Sequence, residues 1–324
     1  MCHALHMELI VAQQIPSSPA RVEQPDRQPL RVALVQHEWL ENRDDLIATL
    51  RDGIEQAAKA GAKVVFLPEL TLSRYPADTL PTGTPSDIAE DLDNGPTVTF
   101  AREAARDFGV HVHASLYEKN DQGDGLGFNS AVLVAPNGEL IARTRKTHIP
   151  VTAGYYEDKY FRPGPPDDAY PVVPVADLDV KVGLPTCWDE WFPEVARSYA
   201  LGGADLLAYP TAIGSEPDHP DFDTQPLWQA TITGHAIANG LFIVVPNRCG
   251  TEGLITFYGS SFIVDPYGRV LTQAPRNTTA VLVADLDLAQ RKDWLDLFPF
   301  LATRRPDTYA ALADPVKPEH QREV

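Results

Sequence analysis

The chain has 324 residues, 44% hydrophobic and 22% charged, enough for a large buried core and too balanced for a disordered or fibrous protein. Its 27 Lys and Arg against 45 Asp and Glu leave a net charge of -18, which repels phosphate backbones and anionic lipid, so neither nucleic acid nor a membrane is expected as a partner. Cys2, Cys187 and Cys249 make neither a disulfide framework nor a zinc site, and no apolar run approaches the ~20 residues of a membrane span, so a reducing, cytoplasmic setting is expected.

Residues 1–30 carry a short apolar run without a basic flank and read as a loose extension. "RVALVQHEW" (31–39) has a strand pattern, "DDLIATLRDGIEQAAKAGA" (44–62) an amphipathic helix closed by glycine, and "KVVFLPEL" (63–70) a buried strand. A second helix, 95–109, with Pro near its start and Gly at its end, precedes strands at 111–118, 129–136 and 139–146, the last two joined by an Asn-Gly turn. The second half repeats this grammar: strand 180–187, helix 192–203, strand 204–210, helix 226–240, strand 241–247, and a strand pair over 260–271 turned at Pro-Tyr-Gly. Alternating helices and strands with added hairpins predict an α/β protein with a mixed β-sheet in each half, the two packed as a four-layer α-β-β-α sandwich. The tail, 291–324, holds Trp294, Phe298 and Phe300 and is expected to pack at a subunit interface.

In α/β folds chemistry gathers where strands end. Glu69 follows a continuous apolar strand, where burial would favour general-base work; Lys146 stands just beyond another; Cys187 lies between a strand and a Pro-Glu helix start that would favour its thiolate. Each alone is ordinary, since edge acids and lysines are usually solvated and apolar cysteines usually pack. The two histidines of "HVH" (111–113) share one face of a strand, too few for a zinc site, and Cys249 lacks an acid and a lysine of its own. Ser198 and the serines of "GSSF" lack a nucleophile elbow.

Taken together and in order, "LPEL" with Glu69, "RKTHIP" with Lys146 and "PTCWDEWFPE" with Cys187 resemble the Glu-Lys-Cys set of the nitrilase superfamily of carbon-nitrogen hydrolases. The resemblance spans about residues 31–290, where "GFNSAVLV", "YYEDKYFRPG" and "ITFYGSSFIVDPYGRV" also match, and its nearest subgroup is the N-carbamoyl-amine hydrolases that act on substrates such as N-carbamoylputrescine. It implies a cysteine amidohydrolase without metal or organic cofactor, built as homo-oligomers from dimers. It assigns Cys187 as nucleophile, Glu69 as proton carrier, Lys146 and the N–H after Cys187 as oxyanion donors, and Glu157 of "YYEDKYF" as a second glutamate, ahead of Glu118 of "SLYEKN".

For the substrate, relatives that act on N-carbamoyl amino acids have arginine after the cysteine, whereas this chain has Trp188, Asp189, Glu190 and Trp191. Acids there, with Glu216 and Asp218 in "GSEPDHPDFD", would attract an ammonium, and Tyr155, Tyr156 and the tryptophans would form walls. Arg74, in "PELTLSRYPAD", would instead bind a carboxylate if it points inward, which would favour N-carbamoyl-β-alanine and a β-ureidopropionase.

Overall fold

The computed structural model describes residues 7–316; Cys2 and the last part of the expected tail, 317–324, lie outside them. The first half runs β1 (Glu8–Val11), β2 (Leu30–Glu38), α1 (Arg43–Lys59), β3 (Val64–Phe66), α2 (Pro96–Phe108), β4 (His111–Glu118), β5 (Phe128–Val134) and β6 (Leu140–Arg145). The second runs β7 (Val173–Val175), β8 (Val180–Gly183), α3 (Pro193–Leu201), β9 (Leu206–Ala208), α4 (Gln225–Asn239), β10 (Phe242–Val245), β11 (Arg248–Glu252), β12 (Ile255–Tyr258), β13 (Phe262–Val264), β14 (Val270–Gln273), β15 (Ala280–Leu286) and α5 (Ala289–Leu297).

Among the described residues, one sheet of nine strands carries β1, β15, β2, β3, β4, β5 and β6 side by side, with β11 joined to the end of β2 and β12 to β11. A second, of six strands, follows the order β14, β13, β10, β9, β8, β7. Each mixes directions: β2, β3 and β4 run parallel before β5 and β6 continue the sheet as antiparallel neighbours, and β8, β9 and β10 run parallel between antiparallel edges.

Successive side chains of a strand point to opposite faces, and here both faces are covered, which explains the unbroken apolar runs. From β2, Ala33 and Val35 pack under Leu46, Leu50 and Ile54 of α1 and Val98 and Ala101 of α2. Val32 and Leu34 point the other way and meet Val182, Leu206 and Val244 of the second sheet. That sheet's far face, with Ile243 and Val245, is covered by Val195 and Tyr199 of α3 and Trp228 and Ile232 of α4. The layers are therefore α-β-β-α, as the alternation of patterns predicts. Truncating a fully buried side chain such as Leu34 to alanine in so dense a core costs about 2–5 kcal/mol.

Helix ends follow local chemistry. The Asn42 side chain accepts hydrogen bonds from the N–H of Asp44 (2.9 Å) and Asp45 (3.1 Å), satisfying donors that the first turn of α1 leaves orphaned. Gly240, with φ 60°, closes α4 in the left-handed region.

Three stretches differ from expectation. The segment 63–70 forms ladder pairs only over Val64–Phe66, because Pro68 has no N–H to give and Leu70 turns to φ 51°. The region read as a loose extension is held: Met7 is buried, Glu8–Val11 pair in parallel with Ala280–Val283, Ser18 donates to Asp293, and Arg21 bridges Asp287 and Asp293. Apolar content over four residues was too short a signal to show a strand whose partner lies near the other end of the chain. Finally, β7, β11, β12 and β15 are strands that the sequence reading did not identify.

Candidate active site

Glu69, Lys146, Glu157 and Cys187 come from four chain segments and meet where the two sheets' strand ends open on the same side. Lys146 follows β6 directly and is pinned by its own backbone, N–H to the Asn129 carbonyl at 2.7 Å. Its side chain is fully buried, and Nζ lies 3.0 Å from Glu69 Oε1 and 2.6 Å from Glu157 Oε2. An ammonium between two buried carboxylates stays charged: burial lowers its pKa, but Glu157 and Glu69 outweigh that and raise it well above the usual lysine value.

Glu69 is wholly buried, and its two oxygens are unequal. Oε1 accepts from Lys146 and from Asn129 Nδ2 at 2.6 Å, while Oε2 has no hydrogen-bond partner among the described residues. An unpartnered buried carboxylate oxygen is costly, and persists where it is needed as a proton acceptor. The loop behind it is fixed from both sides: Ser115 Oγ accepts the Leu70 N–H, and Arg248, fully buried, donates to the carbonyls of Glu69 (3.2 Å), Leu70 (2.8 Å) and Ser73. Glu252 neutralises Arg248 at 2.6 Å and takes the Tyr75 N–H at 2.8 Å.

Glu157 opens a turn of 3-10 helix, Glu157–Lys159, and Tyr75 donates its hydroxyl to Glu157 Oε1 at 2.8 Å. Burial pushes the Glu157 carboxyl up to about 7, with Glu69 adding to the rise and Lys146 and Tyr75 opposing it.

Cys187 begins the turn Cys187–Trp191 with φ 44°. A non-glycine residue in that region is strained, and Leu70 beside Glu69 shares the feature, so Cys187 and Glu69 both sit on backbone that the surrounding bonds force into place. The Cys187 N–H donates to the Pro210 carbonyl at 3.1 Å, and the Trp188 N–H follows it in the first turn, where the helical pattern supplies no partner. The expected thiolate is not what the structure holds: burial and Glu69 push the thiol well above its ordinary value, more than Lys146 lowers it. Cys187 rests as a thiol, and its proton needs a base.

The residues expected to read the substrate separate into two groups. Tyr155, buried, stands 6.0 Å ring to ring from Tyr75, and its hydroxyl takes the Gly214 N–H (3.1 Å) and donates to the Ser215 carbonyl (3.2 Å). It ties the 152–157 loop to the loop bearing Glu216, whose half-buried carboxylate acts on the Tyr155 hydroxyl and makes no hydrogen bond or ion pair among the described residues. Trp188 is half-buried and packs at 6.3 Å from Trp191.

Asp189, Glu190 and Arg74 do not face the substrate as free charges. Asp189 is buried and accepts from the N–H groups of Thr186 (3.1 Å), Thr147 (3.3 Å) and His148 (2.9 Å) and from His148 Nδ1 (2.7 Å), stapling the lysine strand end to the cysteine turn. Glu190 is fully buried beneath Cys187, with Oε1 accepting from Trp228 Nε1 at 2.7 Å. Arg74 grips Asp78 with both terminal nitrogens at 2.8 and 2.6 Å and also donates to the Tyr75 carbonyl, because the acid four residues on lies under it. Asp218 is exposed, and Glu118 is taken up by Arg145 and Ser130. Cys249 is buried in β11.

Asn129, Tyr75, Arg248 and Glu252 hold the site and were not singled out in sequence. Asn129 lies in "GFNSAVLV", a stretch that already matched a pattern, and a polar residue inside an apolar strand was the available signal. Among the described residues no group of three or more His, Cys, Asp or Glu could hold a metal ion, and no helix is long and apolar enough to cross a membrane.

A family model described as carbon-nitrogen hydrolase matches residues 31–295. The chain is 37% identical over 290 residues to a citrullinase of Francisella tularensis, covering 86% of this chain and 96% of that protein. It is 38% identical over 232 residues to an N-carbamoylputrescine amidase of Arabidopsis thaliana, covering 69% and 75%. Among solved structures, a carbon-nitrogen hydrolase from Helicobacter pylori G27 superposes with a TM-score of 0.80 at 34% identity, over 88% of this chain and 99% of that one.

Proposed function

The chain belongs to the carbon-nitrogen hydrolase family, with the fold of the nitrilase superfamily, and from that premise we propose that it hydrolyses an N-carbamoyl amine, N-carbamoylputrescine foremost, to the amine, ammonia and carbon dioxide. The observation that carries the catalytic reading is Glu69: a buried carboxylate with one oxygen anchored by Lys146 and Asn129 and the other unpartnered, beside a thiol that burial keeps protonated.

Glu69 Oε2 takes the Cys187 proton as Sγ attacks the carbamoyl carbon, and the carbonyl oxygen gathers negative charge between Lys146 Nζ and the Trp188 N–H. The C–N bond breaks, and Glu69 returns the proton to the departing nitrogen. Water then loses a proton to Glu69 and attacks the S-carbamoyl carbon; the C–S bond breaks and the thiol regains its proton. Whichever nitrogen leaves first, the product is a carbamic acid, which falls apart to carbon dioxide and the second amine. Glu157 acts through Lys146, holding the ammonium on the oxyanion's side while Glu69 moves protons.

Glu216 supports a cationic substrate end. Among the described residues it is the acid beside Tyr155 that no arginine or lysine pairs with, the exposed His219 being the cationic group that acts on it, and Arg74, the cation that would have gripped a carboxylate, is committed to Asp78. Citrulline places the same ammonium at the same distance from its ureido group but adds a carboxylate. The kinship with the citrullinase favours it as the second reading, and the acidic mouth argues for the decarboxylated compound. In this reading the partner is the small carbamoyl substrate alone, the protein works in the cytoplasm within polyamine synthesis, and exposed Leu297 and Phe298 of the tail contribute to a homo-oligomer built from dimers.

The test is ammonia release by the purified protein with N-carbamoylputrescine, citrulline and N-carbamoyl-β-alanine in parallel. We expect the highest kcat/KM with the first, and none with Cys187→Ala. Preference for N-carbamoyl-β-alanine, or turnover that survives Cys187→Ala, would refute the reading.

A further inference from the structure

Glu190 is a second acid at the reaction centre that the catalytic scheme leaves without a task. Its carboxyl is fully buried, and among the described residues no lysine or arginine forms an ion pair with it. Its hydrogen bonds allow its protons to be counted. Oε1 lies 2.7 Å from Trp228 Nε1, an indole nitrogen that only donates, so Oε1 accepts. Oε2 lies 3.2 Å from Thr211 Oγ1, and the same Oγ1 lies 2.8 Å from the Tyr209 carbonyl oxygen, which only accepts. Threonine has one hydroxyl proton. If that proton serves the closer carbonyl, the contact with Oε2 is a hydrogen bond only when the carboxyl supplies the proton. If it serves Oε2, a buried carbonyl at the end of β9 loses its threonine partner and a second negative charge stands beside Glu69.

We propose that Glu190 is a neutral carboxylic acid that donates its proton to Thr211 Oγ1, and that through the chain Glu190 to Thr211 to the Tyr209 carbonyl it acts as a positioning residue for Cys187. The inference rests on Cys187 being the nucleophile. The mechanical link is short: Pro210, between Tyr209 and Thr211, supplies the carbonyl that takes the Cys187 N–H at 3.1 Å. The strained φ of 44° at Cys187 is thus held on one side by Pro210 and on the other by Glu190, whose own carbonyl accepts from His235 Nε2 of α4 at 3.0 Å.

The charges facing Glu190 agree with a neutral acid. Burial raises its pKa well above the usual glutamate value and Glu69 adds to this, against the bonds from Trp228 and Thr211 and the more distant pull of Lys146. Other titratable neighbours are the buried Asp189 carboxylate next in sequence, the Cys187 thiol and the Tyr209 and Tyr258 phenols, whose pKa values burial raises, and His235, whose pKa burial lowers. Glutamine reproduces a neutral acid's pattern, a carbonyl accepting from Trp228 and an N–H donating to Thr211. An ionised carboxylate has no such isostere.

The test joins infrared spectroscopy on the full-length protein with steady-state kinetics. At a pH well above the ionisation of Glu157, the wild-type minus Glu190→Gln difference spectrum is expected to show a protonated-carboxyl C=O band that shifts in D2O. In kinetics, Glu190→Ala is expected to lower kcat by on the order of ten- to a hundredfold with little change in KM, and Glu190→Gln to restore most of it. Absence of the band overturns the proposal, as does a Glu190→Gln protein that does not fold. A KM for the cationic substrate that rises about tenfold in Glu190→Gln, with kcat unmoved, identifies an ionised reader of the ammonium instead. The infrared arm needs no substrate, and the kinetic arm runs with whichever carbamoyl compound is turned over, so failure of the substrate assignment is seen separately.

Discussion

Replacing Glu157 by glutamine removes an ionisable group whose protonation differs between the folded and unfolded chain, and the surroundings set the size of the effect. The carboxyl is buried, accepts from Lys146 at 2.6 Å and Tyr75 at 2.8 Å, and titrates at about 7 rather than the ordinary 4.5. Between those values the folded protein binds a proton that the unfolded chain has lost. The stability contributed by the neutral acid is therefore complete below 4.5 and disappears as pH rises through about 7. At 1.36 kcal/mol per pH unit that interval is worth ~3 kcal/mol. Glutamine is neutral throughout, so the difference in unfolding free energy, variant minus wild type, should move in the variant's favour by most of that amount between about pH 5 and about pH 8, measured by urea unfolding with tryptophan fluorescence. Activity should fall in the same variant by on the order of ten- to a hundredfold, because Lys146 loses one of the two carboxylates that aim it, and the acid limb of the wild-type rate profile near 7 should go with it. Parallel stability curves for the two proteins across this range would refute the reasoning.

Glu216→Gln should raise KM for N-carbamoylputrescine about tenfold while leaving kcat/KM for a neutral alkylurea of equal length unchanged; an equal loss on both compounds would remove Glu216 from ammonium recognition. Tyr75→Phe deletes a buried hydrogen bond to a carboxylate and is expected to cost about 1–3 kcal/mol of unfolding free energy, with a smaller loss in kcat than Glu157→Gln. Arg248→Met leaves Glu252 as a buried charge without its cation and should cost about 3–5 kcal/mol; adding Glu252→Gln should recover part of it, and a single-variant cost below about 1 kcal/mol would contradict the role of Arg248 in fixing the loop of Glu69.

The layered fold was legible because its strands are buried on both faces: a run such as that of β2 cannot alternate, and its short length and the proline before it, Pro29, distinguish it from a helix. Glu69, Lys146 and Cys187 were legible as side chains just beyond strand ends within matching motifs, and the fold brings the three together. The substrate residues were not, because a carboxylate's partner is decided by three-dimensional neighbours. Asp189 meets backbone N–H groups from a loop about forty residues away, Glu190 meets a tryptophan on α4, and Arg74 meets an aspartate one turn on, whereas Glu216 meets none of these. The N-terminal segment was misjudged for a related reason: pairing with β15 is a contact between the two ends of the chain, and nothing local in four residues encodes it.

The position of β15 also bears on how the protein is made. β2 lies between β3 and β15, and Arg31 pairs with Asp285 across 254 residues of sequence. During synthesis the early strands can add to one edge of β2 as they emerge, but its other edge, from Leu30 to Gln36, waits for Ala280–Leu286, far along the polypeptide, to leave the ribosome. An open, apolar strand edge held through most of translation is a template for the wrong partner. A chaperone that shields nascent strands, or slow elongation after residue 264, where β13 ends, would therefore affect the yield of soluble protein more than any change at the active site.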